Sequence, residues 1–253
     1  MMLICSALLG LVAAAAPPPA ARAQDAPDFA KGLEALEREF EDAMDAFDAA
    51  VVAAASDEER AKIQRDPAQD PRKRFVPRFQ EFAKRAEGTE SGARALMWIL
   101  ANVREPDSGI LRGAVDDLVG GYIDSPFLAD IAVTLRYGTW LVGFDHARSA
   151  LEKIAKDSPH AGVRSGALLS LGAVLYGEGG TSKAEAAGVL RRVVEEFPDT
   201  PAADGARGCL FEIENLQIGM VAPDFEAIDE DEVRYKLSDY RGKVVVVDFW
   251  GFW

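Results

Sequence analysis

Cysteine is nearly absent from this sequence: among 253 residues there are two, Cys5 and Cys209. A disulfide framework and a multi-cysteine zinc site are therefore both excluded. Histidine is equally scarce, with only His146 and His160. Both are expected at exposed positions, and no His-based triad or His-rich metal site has support. No glycine-rich phosphate loop is present, and no cofactor is expected. Basic charge is short as well. Lysine and arginine number 28 against 42 acids, for a formal net charge of −14. That balance argues against nucleic acid and anionic membrane surfaces as partners.

Long apolar runs are missing apart from one of 14 residues, Leu3 to Ala16. It is too short to span a bilayer comfortably and reads as the core of a secretory signal. Pro17, Pro18 and Pro19 follow it, and Ala21-Arg22-Ala23 gives a small-x-small cleavage pattern. Residues 1–23 are thus expected to be a signal peptide, with a mature start at Gln24, an exported periplasmic or extracytoplasmic location, and no membrane span after cleavage. Cys5 is an ordinary small residue of that signal. Cys209 would then be the one thiol of the mature chain. It sits in the apolar helical pattern Ala206-Arg207-Gly208-Cys209-Leu210-Phe211, which reads as core.

Helical periodicity dominates what remains, from residue 28 to 215. Leu33, Leu36, Phe40, Met44 and Phe47 recur at three and four, as on one face of an amphipathic helix. Asp66 to Pro71 is rich in breakers and reads as a loop. Arg72, Lys73, Arg74 and Arg78 follow it as a solvated basic helix start. The adjacent acids Asp116-Asp117 and Glu195-Glu196 point different ways on a helix and read as solvated faces.

Three segments share a Gly-x-Arg followed by apolar residues: Gly92-Ala93-Arg94, Gly162-Val163-Arg164 and Gly205-Ala206-Arg207. Each follows a helix that ends in a polar turn. Ser125-Pro126, Ser158-Pro159 and Thr200-Pro201 supply helix-start chemistry, a capping hydroxyl before a preset φ. Small residues recur over 161–173 and 202–208, which fits close helix packing, or alternatively a groove. From Leu168 through Gly172, Tyr176, Ala184, Ala187, Leu190, Phe197 and Pro198, the pattern resembles tetratricopeptide repeats. The resemblance covers roughly 145–215 and implies stacked helical hairpins with a concave face for a protein or peptide partner.

The last residues change character. Val244-Val245-Val246-Val247 reads as a buried parallel strand. Ala222-Pro223-Asp224-Phe225, Leu237-Ser238-Asp239-Tyr240-Arg241-Gly242-Lys243 and Val247-Asp248-Phe249-Trp250 resemble successive motifs of thioredoxin-like redoxins, the class that includes TlpA-like proteins and the AhpC/TSA superfamily. The expected architecture is mainly α: helical hairpins over 28–215, then the first strands of an incomplete α/β thioredoxin-like domain over 218–253.

The resemblance implies a thiol-disulfide oxidoreductase acting on protein or small-molecule disulfides, with thiol peroxidase as the alternative. It casts Asp248 as a proton relay and Trp250 and Trp253 as walls of the active site. It puts the nucleophile at the position after Trp253, so the 253 residues themselves lack the redox pair. Three explanations stand side by side: a UGA codon read as selenocysteine, a frameshift or fragment, and a genuine short protein. For the 253 residues alone, a non-catalytic helical-repeat binding protein is the alternative reading.

Overall fold

The computed structural model describes residues 27–106, 108–177 and 183–248. The expected signal peptide, Trp250 and Trp253 lie outside these described residues. Eleven helices are seen there, from α1 (Pro27–Ala53), α2 (Asp57–Arg65), α3 (Pro71–Arg85) and α4 (Glu90–Asn102) through α5 (Gly109–Gly121), α6 (Leu128–Tyr137) and α7 (Thr139–Val142). The series ends with α8 (Phe144–Asp157), α9 (Ala161–Gly177), α10 (Lys183–Glu196) and α11 (Pro201–Asn215). Two three-residue strands follow, β1 (Glu226–Ile228) and β2 (Arg234–Lys236), then a single 3-10 turn at Leu237–Tyr240. The mainly α expectation holds. A thioredoxin-like sheet is not present among the described residues.

Local chemistry starts many of these helices. The Asp70 carboxylate accepts from Arg72 N ahead of Pro71, and the Thr200 hydroxyl accepts from Ala203 N ahead of Pro201. Thr89 caps α4 in the same way through Gly92 N. The Ser125-Pro126 expectation needs correction. Those residues form a turn in which Leu128 N donates to Ser125 O at 3.3 Å, and α6 begins only at Leu128.

The predicted face of α1 packs inward: Leu33 and Leu36 are buried, and Phe40 lies against the core. Phe40 meets Phe75 of α3 edge-on at 5.5 Å and Trp98 of α4 at 4.8 Å. Trp98 in turn stacks on Phe79 at 3.7 Å, which clamps α1, α3 and α4 together. Further along, α9 packs against α6, α8, α10 and α11 and is the hub of this part of the molecule. Its Gly172 permits close approach, because a Cβ there would lie 2.6 Å from Leu190 Cγ of α10.

The Gly-x-Arg pattern resolves into a shared device at two of its three occurrences. Arg164 donates from Nη1 to Ser158 O and Pro159 O, both at 2.9 Å. Arg207 donates from Nη2 to Pro198 O at 3.1 Å. In each case the guanidinium ties down the carbonyls of the turn entering its own helix. Arg94 differs: it pairs with Glu37 of α1 at 3.0 Å.

The valine run is the main departure from expectation. Val244–Asp248 forms no strand. Val244 and Val246 are 97% and 87% exposed, while Val245 and Val247 are 42% and 48% exposed. Exposure thus alternates along the run, as it does between the two faces of a strand. A strand exists only through pairing, however, and among the described residues β1 and β2 pair only with each other.

Candidate functional site

The C-terminal segment is organised by polar bonds near in sequence rather than by burial. Among the described residues Ile213 is the last buried one, and every one after it is exposed or half-exposed. Strands β1 and β2 pair antiparallel in the register Glu226 with Lys236, Ala227 with Tyr235 and Ile228 with Arg234. The Arg234 guanidinium lies 2.8 Å from the Glu226 carboxylate. In the connecting loop, the Asp229 carboxylate accepts from Asp231 N at 3.0 Å and from Val233 N at 2.8 Å. Glu232 takes a left-handed φ of 63° there. A two-stranded hairpin of this size is marginal by itself, so these loop bonds matter.

Two of the motifs singled out in the sequence meet at its base. Asp224 Oδ1 accepts from Ser238 N and Oδ2 accepts from the Ser238 hydroxyl, each at 2.8 Å. Leu237 N adds a bond to Phe225 O at 3.1 Å. The Ser238 hydroxyl and then its backbone N–H hold the Asp224 carboxyl below the usual carboxylate range. Sequence reasoning named both motifs but not this link. The signal was there, an acid in one motif and a serine in the other, but nothing local marked them as partners.

Asp248 is exposed at the end of the valine run, without the apolar enclosure expected from its neighbours. Trp250 and Trp253 fall outside the described residues, so the structure does not bring the three residues together. Cys209 is a free thiol on α11, half-buried and packed against the core. That matches its reading as a packing residue.

The histidines are less exposed than expected. His146 of α8 faces α5, with Nε2 at 3.2 Å from Asp116 Oδ1. That nitrogen is buried and makes no hydrogen bond: the pair is close but not aligned. Its neighbours come from another helix, which local periodicity does not report. His160 is half-buried, with Nε2 at 2.8 Å from Asp124 O. Among the described residues no group of three or more His, Cys, Asp or Glu could hold a metal ion. No helix among them is long and apolar enough to cross a membrane.

The basic start of α3 is largely absorbed within the chain. Lys73 reaches Glu105 at 3.1 Å and Arg78 reaches Glu39 of α1 at 2.6 Å. The latter pair spans an open cleft of about 230 Å³ between α1 and α3 that Gly32, Leu36 and Phe82 also line. On α5, burial pushes the Asp117 carboxyl above its ordinary range, with repulsion from Asp116 and Glu87 adding to the effect and Lys84 opposing it.

Comparison with known proteins gives a short match. The thiol-disulfide oxidoreductase ResA of Geobacillus kaustophilus is 50% identical over 38 residues, 15% of this chain and 22% of that protein. The thiol-disulfide oxidoreductase ResA of Geobacillus thermodenitrificans is 47% identical over 38 residues, with the same coverage. The chain thus spans about a fifth of the length of the curated relatives it matches. No protein-family model and no solved structure matches. This local similarity supports a thioredoxin-like region within the chain.

Proposed function

We propose that the chain carries the opening of an exported thiol-disulfide oxidoreductase of the redoxin class, joined to a helical module that binds a protein or peptide partner. Residues 1–23 serve as the signal, 28–215 as tetratricopeptide-like hairpins, and 218–253 as the first part of the redoxin domain. The observation that carries this reading is the 38-residue similarity to ResA at 50% identity. The redoxin-like motifs at 222–225, 237–243 and 247–250 agree with it.

In this reading a thiolate or selenolate, at the position after Trp253, attacks a substrate disulfide and forms a mixed disulfide. The first substrate sulfur leaves as a thiol. A second cysteine then displaces the remaining substrate sulfur, so the substrate is reduced to a dithiol as the enzyme pair is oxidised. A selenol is more acidic than a thiol and is the more fully ionised nucleophile at neutral pH. Asp248 passes a proton to or from the second cysteine. Trp250 and Trp253 wall off water and shape partner docking.

The sequence holds no cysteine beyond Cys209, so the test begins with the in-frame codons after Trp253. A Cys codon or a UGA, with Cys three codons further on, is the expected continuation. Protein spanning those residues should then reduce insulin disulfides in the presence of a thiol reductant. Turnover of peroxide without insulin reduction would move the assignment to thiol peroxidase. An unrelated continuation would remove the oxidoreductase reading.

A second reading applies to the 253 residues by themselves: a helical binding protein without redox activity. It is favoured by the concentration of the buried residues, among those described, between Leu33 and Ile213.

A further inference from the structure

We infer that residues 218–220 form a hinge between the helical region and the C-terminal hairpin unit, with Gln217 as its fixed end.

Three contacts hold Gln217 to the helices. Its Nε2 donates to Glu212 O of α11 at 2.8 Å and contacts the Tyr176 hydroxyl of α9 at 3.0 Å. Its Oε1 accepts from Lys183 Nζ of α10. The Tyr176 hydroxyl donates in turn to Glu212 Oε1 at 3.0 Å. One side chain thus gathers three helices at the point where the chain leaves them.

The next residues have no such hold. Ile218 is fully exposed, and Gly219 adopts φ +90°, a conformation that side-chain-bearing residues rarely take. Met220 N closes a turn onto Gln217 O at 2.9 Å. Beyond it, the hairpin is tied by the Asp224–Ser238 bonds and by its own ladder, without a buried residue. A secured peg, a left-handed glycine and a unit closed on itself are the parts of a hinge, in which a few residues absorb the change in φ and ψ. Such a hinge lets the C-terminal unit sweep past the end of α11, where Phe211 and Leu216 are exposed.

The test uses the full chain with Cys5 and Cys209 changed to Ser and pairs of spin labels on introduced cysteines. One pair, Glu195→Cys with Glu230→Cys, reports across the hinge. The other, Glu230→Cys with Arg241→Cys, reports within the hairpin unit. A broad distance distribution for the first pair and a narrow one for the second are expected, with Gln217→Ala broadening the first further. A narrow distribution across the hinge would overturn the inference. So would a broad distribution within the unit, since the hairpin itself would then be unfolding.

Discussion

Asp224 and Ser238 are joined twice, each carboxylate oxygen taking one donor, the backbone N–H or the hydroxyl of the same serine, at 2.8 Å. The two residues stand in different motifs, one just before β1 and the other just after β2. Their link closes the base of the hairpin and fixes the spacing of both motifs without any apolar burial.

This link makes the hairpin sensitive to acid. The folded-state pKa of Asp224 is depressed, so its stabilising effect is present above the unfolded carboxylate value and lost as pH falls through the folded one. Once pH falls below that depressed value the protonated acid accepts more weakly. Amide exchange at Ser238 should therefore accelerate on acidification. In Asp224→Asn it should already be fast at neutral pH and nearly independent of pH in that window, once corrected for intrinsic exchange. An unchanged acid response in the variant would show that another group governs the hairpin.

Gly172 and Leu190 set the spacing between α9 and α10. Gly172→Ala places a Cβ 2.6 Å from Leu190 Cγ, too close to the branch point of that side chain to be relieved by a rotamer tip. A loss of about 2 kcal/mol is expected for this overpacking. Leu190→Ala should cost about 3 kcal/mol through the cavity it leaves. The double variant should lose clearly less than the sum of the two, because each change relieves the other. Denaturant unfolding of the four proteins measures the coupling, and strict additivity would contradict the close approach.

Asp117 carries an unfavourable charge. Its pKa is raised in the folded state, so charged Asp117 opposes folding at neutral pH and the penalty disappears as pH falls below the unfolded value. Asp117→Asn should stabilise the protein by about 0.3 kcal/mol at pH 7, a small gain because solvent screens a charge that is only partly desolvated. The gain should vanish near pH 3. A thermal melt at both values distinguishes this from a general effect of the amide.

Removal of residues 218–253 should leave the helices with a single cooperative thermal transition, because among the described residues every buried one lies at or before Ile213. Loss of the helical circular dichroism signal in that truncation would show that the two parts fold as one unit. The truncated protein should also be more soluble than the 253-residue chain, since Val244–Val247 present an exposed, unpaired apolar stretch.

Helix content, the Thr200 cap, and the inward face Leu33-Leu36-Phe40 were legible in the residue pattern, whereas the Asp70 cap emerged only in the structure. Each depends on bonds or side chains within a turn or two along the chain. The loop at Asp66–Asp70 was legible for the same reason, although Pro71, read as part of it, already opens α3. The Gly-x-Arg repeat was visible, but its use was not: two arginines hold the turn before their own helix, while Arg94 reaches across to Glu37. The candidate site was readable as motifs and not as geometry. Composition marks the valine run as strand, but a strand needs a partner to supply its hydrogen bonds, and only the tertiary structure tells whether one is present. Likewise, burial of His146 Nε2 beside Asp116 arises from the packing of α8 on α5. Residues thirty positions apart meet there, and the local periodicity of either helix carries no record of the other.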